Sequence, residues 1–334
     1  MNNNTFSAVL LCAGKGTRFK SEIIKLLHPF LGSSMLQIAV DTMFRLGPDS
    51  VTLVVGHQKA RIQRESFRYP VQFAVQEKQL GTANAVLAAR DFFVGKADSH
   101  VLVMNSDLPL VRPETLKPFL DYHQTEKNAL TFLVADLENP FGFGRVIHGQ
   151  DGIIRIIEEK DATPEQRCIR ESNLGVYLFR AGDVFEMLPR ITTDNAKGEY
   201  YLTDIIEIMM RAGRKTGFFK TDNSDEFIGV NDRHELALAA DVLRRRKIRS
   251  LAEEGVTILD PSSTWIDLKV FVGRDTVIYP SVVIEGETKI GSGCRIQPFV
   301  HIKDCDIGDG SNIGSFIFLD GDTLPAHTIK RPKE

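Results

Sequence analysis

The sequence has few of the features that mark secreted, metal-clustered or membrane-embedded proteins. Only four cysteines occur among 334 residues, and none stands at the C-x-x-C spacing of a redox or zinc motif. We therefore expect free thiols in a reducing compartment. No apolar run approaches the roughly 20 residues that span a bilayer, and residues 1–5 lack the charged and apolar segments of a signal peptide. The expected location is the cytoplasm.

An excess of charge of one sign is also missing. Lys and Arg number 41 against 44 Asp and Glu, for a formal net charge of −3. Such a balance gives no bulk attraction to nucleic acid or to acidic lipid, so we expect neither a nucleic-acid nor a membrane partner. The remaining composition, 43% hydrophobic and 25% charged, is that of an ordinary globular protein long enough for two domains.

The first two thirds of the chain alternate short apolar runs with amphipathic stretches. The amphipathic stretches predict helices over 35–46 and 82–93. Alternation of strands and helices predicts an α/β domain whose mostly parallel sheet is covered on both faces. In such a sheet, ligands bind beyond the carboxyl ends of the strands. The predicted strands are 8–11, 51–55, 71–75, 101–104 and 130–135.

From about residue 255 onward, aliphatic residues recur every six positions, with one deletion. A chance run of alternating strands could give part of this pattern, but ten positions in phase favour a parallel β-helix of three to four coils. We expect an α/β domain over 1–230, a linking helix over 231–254, the β-helix over 255–325 and a tail over 326–334. The positions in phase are Ile266, Val272, Ile278, Ile284, Ile290, Ile296, Ile302, Ile307, Ile313 and Leu319.

A glycine-rich loop follows the first predicted strand, with the sequence Cys12-Ala13-Gly14-Lys15-Gly16-Thr17-Arg18. Its two glycines let the backbone approach an anion closely, while Lys15, Arg18 and Lys25 supply cations. The loop fits neither the dinucleotide fingerprint nor the P-loop pattern. A plain tight turn would explain the glycines alone, but the added cations favour a phosphate-binding loop.

The string LCAGKGTRF, followed by Lys25, resembles the LxAGxGTR…K signature of sugar-phosphate nucleotidyltransferases. Further strings resemble the uridyltransferase half of the bacterial bifunctional N-acetylglucosamine-1-phosphate uridyltransferase/glucosamine-1-phosphate acetyltransferase family. The resemblance covers residues 6–250 and implies a Rossmann-like nucleotidyltransferase domain with a mixed, mostly parallel sheet, followed by a short left-handed β-helix. The strings are QEKQLGT (76–82), DLPL (107–110), GFGR (142–145), EEKDAT (158–163), GEYYLTD (198–204) and GVNDR (229–233).

This resemblance implies formation of UDP-N-acetylglucosamine and pyrophosphate from UTP and N-acetylglucosamine 1-phosphate. Such a reaction requires positioning and charge neutralisation rather than a catalytic triad. Arg18 and Lys25 are the expected catalytic residues, and Asp107 and Asn231 the expected ligands of Mg²⁺. Expected nucleotide-binding residues are Leu11, Ala13, Gly14, Lys15, Gly16, Gln76, Gly81 and Thr82. Expected sugar-binding residues are Asn105, Ser106, Gly144, Glu158, Asn173 and Asn231.

Simpler structural roles compete with several of these assignments. Asp107 could cap a turn, and Asn231 and Thr82 could each cap a helix. For Arg18 and Lys25, pairing with a surface carboxylate is the alternative. We expect no catalytic role for His28 or His57, because nucleotidyl transfer needs no base of near-neutral pKa.

The sequence departs from the family pattern at positions predicted to lie near the sugar and in the β-helix. Asn105-Ser106 replaces Tyr-Gly, and Leu174 replaces Thr, so glucose-1-phosphate uridylyl- or thymidylyltransferase activity remains an alternative. A non-catalytic regulatory subunit with the same domain pairing is another. The family's acetyl-transfer site lies in later β-helix coils, so we expect no acetyltransferase activity. We further expect a homotrimer formed through the β-helix.

Overall fold

The computed structural model describes residues 5–14, 16–56, 59–66 and 68–332, so Lys15 and His57 lie outside the described residues. Contacts among the described residues divide the chain into two compact units. One comprises the described residues up to Leu27 together with Met35–Asn231. The other combines His28–Ser34 with the chain from Asp232 onward. The sequence predicts a single boundary near residue 230, which does not account for His28–Ser34 belonging to the second unit. The predicted domain limits therefore stay a prediction.

Strands and helices are named here in chain order. The strands up to residue 220 are β1 (Phe6–Leu11), β2 (Pro29–Phe30), β3 (Ser33–Ser34), β4 (Ser50–Val55), β5 (Val71–Val75), β6 (His100–Asn105), β7 (Leu130–Asp136), β8 (Gly144–His148), β9 (Ile154–Ile157), β10 (Glu171–Arg180) and β11 (Thr216–Lys220). The α-helices are α1 (Met35–Leu46), α2 (Lys59–Glu65), α3 (Thr82–Leu87), α4 (Pro113–Glu126), α5 (Pro164–Arg167), α6 (Ala181–Met187), α7 (Ile205–Arg211) and α8 (Arg233–Glu253). Short 3-10 helices cover Thr17–Phe19, Lys25–Leu27, Arg90–Phe93, Leu188–Arg190, Leu202–Asp204 and Ser224–Phe227.

In the first unit, nine strands of the described chain form one mixed sheet. Seven of them follow the order β11-β7-β10-β6-β1-β4-β5, and β8 and β9 extend from β10. β1 is parallel to β4 and β6, whereas β10 is antiparallel to β6 and β7. Leu11 pairs with Asn105, so β1 and β6 end side by side. The predicted α/β class is confirmed, and this edge of the sheet is where ligands are expected.

Each predicted strand of this sheet is present, and the apolar runs of the inner strands are buried, whereas β5, at the end of the strand order, has only Ala74 buried. β4 and β6, for example, have four or five consecutive buried residues, as expected for strands covered on both faces. The predicted helix over 82–93 is shorter than expected. α3 ends at Leu87, and the chain tightens into a 3-10 turn in which Phe92 N–H donates to the Ala89 carbonyl. This turn brings Phe93 against Phe185, with ring centroids 5.4 Å apart.

The second unit contains a left-handed parallel β-helix of hexapeptide repeats, as predicted. All ten aliphatic positions in phase are at most 2% exposed, so each points into the core. Strand pairing advances by 18 residues, as from Val277 to Arg295, until the deletion reduces the step to 17, as from Arg295 to Asn312. The pairing runs β12-β15-β18-β21-β24, β13-β16-β19-β22 and β14-β17-β20-β23.

The strands of the β-helix are short, because each repeat turns a corner after two or three extended residues. The last, β24, reaches Lys330, beyond the limit of 325 expected from the sequence. The strands are β12 (Thr257–Ile258), β13 (Trp265–Ile266), β14 (Phe271–Val272), β15 (Val277–Ile278), β16 (Val283–Glu285), β17 (Lys289–Ile290), β18 (Arg295–Ile296), β19 (His301–Lys303), β20 (Asp306–Ile307), β21 (Asn312–Ile313), β22 (Phe318–Asp320), β23 (Thr323–Leu324) and β24 (Ile329–Lys330).

Several corners of the β-helix place residues other than glycine at positive φ. Phe299 and Phe316 each have a φ of 60°, in the left-handed region that favours glycine. Both rings are exposed, and they stack with centroids 5.1 Å apart. Other such positions are Asp275, Ser281, Asp304 and His327.

α8 precedes the β-helix and begins with a capped first turn. The Asp232 carboxylate accepts a hydrogen bond from the Glu235 N–H over 2.8 Å, as an N-cap residue does. Among the basic residues of this helix, Arg244 is buried and donates to the Thr264 carbonyl over 3.0 Å. In the described part of the chain, no helix combines the length and apolarity that crossing a membrane requires.

Candidate functional site

A cavity of about 420 Å³ opens at the carboxyl ends of β1 and β6, the edge at which ligands are expected. Ten of the predicted site residues line it. They come from the end of β1 and the glycine-rich loop, from Lys25, from the segment 76–82, and from the end of β6 and the turn after it. Its lining consists of Leu11, Ala13, Gly14, Gly16, Lys25, Leu26, Gln76, Gln79, Gly81, Thr82, Ala85, Asn105, Asp107 and Glu199.

The glycine-rich loop forms one wall of this cavity, and its two glycines are required for different structural reasons. Gly16 has a φ of 60°, and a Cβ there would lie 2.5 Å from the Lys25 Cβ, so a side chain would displace that lysine. A Cβ at Gly14 would meet no described atom within 4 Å, which leaves its backbone approachable. The Gln79 amide donates to the Ala13 carbonyl and holds the loop from the opposite wall.

The segment 76–82 forms the opposite wall and is fixed by its own hydrogen bonds. The Gln76 amide nitrogen donates to the Gly81 carbonyl over 3.0 Å and to Asn84 Oδ1 over 2.9 Å. Gly81 has a φ of 115°, and a Cβ there would lie 2.5 Å from the Tyr200 carbonyl oxygen. Thr82 Oγ1 accepts from the Leu202 N–H over 2.9 Å, and the N-cap of α3 is Gly81, so the helix-capping explanation for Thr82 is wrong.

Four predicted residues converge in one hydrogen-bonded cluster. Lys25 Nζ lies 2.6 Å from Asp107 Oδ2 and 3.3 Å from Asn231 Oδ1. Arg18 Nη2 donates to the same Asn231 oxygen over 2.8 Å. Residues up to 213 positions apart in the chain thus bring two cations and two oxygen ligands together. We call Arg18, Lys25, Asp107 and Asn231 the charge cluster.

The charge cluster is held by contacts between the turn after β6 and the segment that ends in Asn231. The Val230 N–H donates to the Asp107 carbonyl over 3.0 Å. The Glu226 carboxylate, fully buried, accepts from the Arg112 N–H over 3.0 Å and from Arg112 Nε over 2.5 Å. Because Asp232 is the N-cap of α8, the helix-capping explanation for Asn231 is wrong.

The oxygen atoms of Asp107 and Asn231 suit a hard divalent cation. Both lie within 3.3 Å of a single ammonium group, so one small cation could contact both. Among the described residues, no three His, Cys, Asp or Glu side chains form a metal-binding group. A cation here would therefore complete its coordination with substrate oxygens and water, as magnesium commonly does.

Gly144, Glu158 and Asn173 form a separate group around β8 and β10. Gly144 pairs with Asn173, and a Cβ on it would lie 3.6 Å from Glu158 Oε1. Asn173 donates to the Tyr177 hydroxyl over 2.6 Å, across an irregularity of β10 that contains Gly175. Glu158 accepts from the Thr203 hydroxyl over 3.2 Å, and burial raises the pKa of its carboxyl.

Ser106 lies beneath the cavity wall. Its hydroxyl donates to the Leu11 carbonyl over 3.0 Å and lies 2.9 Å from Cys12 Sγ. The residue is 1% exposed and is absent from the described cavity lining, whereas its neighbour Asn105 lines the cavity. Leu174, the other departure from the family pattern, is also buried.

The structure adds residues that sequence reasoning missed. Gln79 and Glu199 line the cavity, although both belong to strings quoted for the resemblance. Tyr177 and Thr203 bond to the expected sugar-binding side chains. Glu226 had no signal in the sequence, because its partner lies 114 residues away.

Another cavity, of about 490 Å³, lies at the opposite edge of the sheet, near the start of β6. It is larger, but its residues had no predicted role and it is remote from the charge cluster along β6. Its lining consists of Thr5, Asp98, His100, Gln124, Lys127, Asn128 and Arg180. The cavity at the carboxyl edge is therefore the candidate active site.

Comparison with known proteins agrees with this geometry. The nucleotidyl transferase family model matches residues 7–268. The chain belongs to the GlmU family of nucleotidyl transferases. The bacterial transferase hexapeptide model matches 269–304 and 287–316 of this nucleotidyl transferase. The chain is 42% identical to the bifunctional protein GlmU of Syntrophotalea carbinolica, 47% to that of Geobacter metallireducens and 43% to that of a Geobacillus species.

These matches cover most of this chain but not all of each relative. They span 96, 89 and 92% of this nucleotidyl transferase and 69, 63 and 66% of the respective relatives. The chain thus corresponds to about two thirds of the length of the relatives it matches. A nucleotidyl transferase domain and hexapeptide repeats are the parts that it shares with them.

Proposed function

We propose that this nucleotidyl transferase transfers the uridylyl group of UTP to N-acetylglucosamine 1-phosphate, with Mg²⁺ as cofactor. The products are UDP-N-acetylglucosamine and pyrophosphate. The observation that carries the proposal is the charge cluster at the edge of a cavity lined by the glycine-rich loop. Cations, oxygen ligands and a phosphate-sized backbone cradle are what such a reaction requires.

The chemistry is displacement at the α-phosphorus of the nucleotide. An oxygen of the sugar phosphate forms the new P–O bond, and the bond to the β-phosphate oxygen breaks, releasing pyrophosphate. Arg18 and Lys25 neutralise the charge that develops on the phosphates. Asp107 and Asn231 would hold Mg²⁺, which supplies further charge neutralisation. Backbone N–H groups near Gly14 and Gly16 orient the nucleotide phosphates.

Base recognition follows from the hydrogen bonds of Gln76. The protein occupies the donors of its amide, which leaves Oε1 to accept from a base. Uracil carries an N3–H donor, whereas cytosine offers only an acceptor at that position. If cytosine bound there, the buried side-chain carbonyl of Gln76 would have no hydrogen-bond donor. UTP is therefore favoured over CTP.

The sugar would contact Gly144, Glu158 and Asn173. The hydrogen bond from Asn173 to Tyr177 fixes the orientation of the amide toward a sugar substituent. Because Ser106 lies beneath the cavity wall, its bulk does not narrow the site. Of the two changes beside Asp107, only Asn105 lines the cavity, so the serine does not count against N-acetylglucosamine 1-phosphate.

The decisive measurement is pyrophosphate release across a panel of nucleoside triphosphates and sugar 1-phosphates, with Mg²⁺ present or chelated. We expect the fastest release with UTP and N-acetylglucosamine 1-phosphate, and none after chelation. A preference for glucose 1-phosphate would overturn the sugar assignment. Failure of every pair would favour a non-catalytic regulatory subunit.

Two further expectations concern the β-helix and belong to the same proposal. The 334-residue chain is expected not to transfer acetyl groups, and acetylation of glucosamine 1-phosphate from acetyl-CoA by the purified chain would contradict this. A homotrimer is supported by the hexapeptide repeats and by exposed aromatic residues such as Phe271 and Phe318. A monomeric mass at micromolar concentration would exclude the trimer.

A further inference from the structure

Ser106 connects the glycine-rich loop to the carboxylate of the charge cluster, because it directly precedes Asp107. Its N–H donates to the Leu11 carbonyl over 3.3 Å, and its hydroxyl donates to the same oxygen over 3.0 Å. Its Oγ also lies 2.9 Å from Cys12 Sγ. Cys12, the first residue of the loop, is thus within hydrogen-bond distance of Ser106, the residue that precedes the carboxylate.

The direction of these bonds follows from the number of hydrogens. The hydroxyl has one hydrogen, which goes to Leu11 because a carbonyl oxygen can only accept. The Cys12 thiol is then the donor to Ser106, whose oxygen at 2.9 Å is nearer than the other acceptor within reach, the Leu10 carbonyl at 3.6 Å. Burial raises the pKa of the Cys12 thiol to about 12, although the hydrogen bond with Ser106 acts in the opposite direction. The thiol therefore keeps its hydrogen at neutral pH.

Cys12 is also held from its other side. Its N–H donates to the Val54 carbonyl over 2.8 Å and continues the pairing of β1 with β4. Cys12 is 3% exposed and Ser106 1%, so neither side chain is available for extensive contact with substrate. Their hydrogen bond instead fixes where the loop begins relative to the turn that carries Asp107.

We propose that Cys12 and Ser106 form a positioning pair that fixes the Asp107 carboxylate relative to the glycine-rich loop. The inference rests on the proposed function, because it assumes that Asp107 binds a metal while the loop binds nucleotide phosphates. A glycine at 106, as in the family pattern, cannot supply the hydroxyl, so the pair requires the serine of this chain. Loss of the pair should weaken metal binding, because the Asp107 carboxylate is then held less firmly. Nucleotide recognition should stay unchanged, because it depends on other residues.

The test compares Ser106→Ala with Ser66→Ala as a matched control. Ser66 is also 1% exposed, and its hydroxyl donates to the Ile62 carbonyl over 2.5 Å, away from the cavity lining. Mn²⁺ is titrated by water-proton relaxation with UTP present. We expect Ser106→Ala to weaken Mn²⁺ binding about two- to tenfold, the range of one neutral hydrogen bond. The KM for UTP and the Mn²⁺ affinity of the control should stay unchanged.

Variants of Cys12 test the pairing itself. Cys12→Ser retains a donor and should preserve Mn²⁺ affinity, whereas Cys12→Ala should weaken it. Combined with Ser106→Ala, Cys12→Ala should add nothing, because the shared bond is already lost. Unchanged Mn²⁺ binding in Ser106→Ala, or an equal loss in Ser66→Ala, would overturn the proposal. If no substrate pair turns over, the proposed function fails, while the Mn²⁺ comparison still decides the role of the pair.

Discussion

The two units of the chain use buried positions in different ways. In the β-helix, burial follows a repeat, with an aliphatic residue at each position in phase. In the α/β unit, the buried or half-buried polar residues that matter, such as Lys25, Gln76 and Glu226, follow no period. A repeat therefore predicts which residues form the scaffold, whereas the candidate site is formed by polar residues that follow no repeat. Substitutions in each unit test this difference.

The largest effect is expected from Asp107→Ala. It removes an oxygen ligand from the charge cluster, and we expect turnover to fall by about 100-fold or more while the melting temperature changes little. Pyrophosphate release and thermal unfolding measure the two effects. Asp222→Ala, at an exposed aspartate of the same unit, serves as the control. Near-normal turnover in Asp107→Ala would remove this residue from the site.

Lys25→Met should separate two roles of the lysine, which are to neutralise phosphate charge and to occupy the Asp107 carboxylate when no metal is bound. Turnover should fall on the order of 100-fold, because a cation that neutralises phosphate charge is lost. Mn²⁺ affinity without nucleotide should rise, since the ammonium that lies 2.6 Å from Asp107 no longer competes. Water-proton relaxation measures this affinity. Weaker Mn²⁺ binding in the variant would show that Lys25 does not compete with a cation at this oxygen.

In the β-helix the contrast predicts the reverse pattern. Ile296→Ala should lower the free energy of unfolding by about 2–5 kcal/mol, because it opens a cavity at a fully buried position. The KM for UTP should stay unchanged. Arg295→Ala, at the exposed neighbour on β18, should cost little. Denaturant unfolding measures both. A selective loss of turnover in the folded Ile296→Ala chain would contradict this difference between the units.

The smallest effect concerns the pH dependence of stability in the α/β unit. Burial lowers the pKa of His123 to about 3, and His100, whose Nδ1 lies 3.0 Å from His123 Nε2, adds to this. The unfolded chain therefore binds a proton below pH 6.5 that the folded chain does not. Stability should fall as pH drops below 6.5, by up to about 2 kcal/mol at pH 5.0.

Melting temperatures at pH 7.5 and 5.0 test this dependence. The decline should be smaller in His123→Gln, which removes the titrating group, than in the unaltered chain. His234→Gln, at an exposed histidine, should leave the decline unchanged. Equal declines in His123→Gln and in the unaltered chain would show that this histidine does not control the acid sensitivity.

Much of the fold could be predicted because it depends on local patterns. The ten aliphatic positions, the strands of the central sheet and the glycine-rich loop each follow from neighbouring residues. Glu226 and the assignment of His28–Ser34 to the second unit could not, because they depend on contacts between distant segments. Ser106 is intermediate. Its position next to Asp107 is evident from the sequence, but the orientation of its side chain depends on Leu11, at the end of the neighbouring strand, and on Cys12, the first residue of the loop.

The stacked rings of Phe299 and Phe316 have a consequence for how the β-helix tolerates mutation. Each phenylalanine has a left-handed backbone conformation, which costs a residue other than glycine roughly 1–2 kcal/mol of stability. Glycine would remove that strain but also the ring contact that offsets it. The two corners are therefore coupled: one change alone loses the stack, whereas both together release two strained residues. We therefore expect substitutions at positions 299 and 316 to be tolerated together more readily than singly, whereas the interior isoleucines tolerate no change.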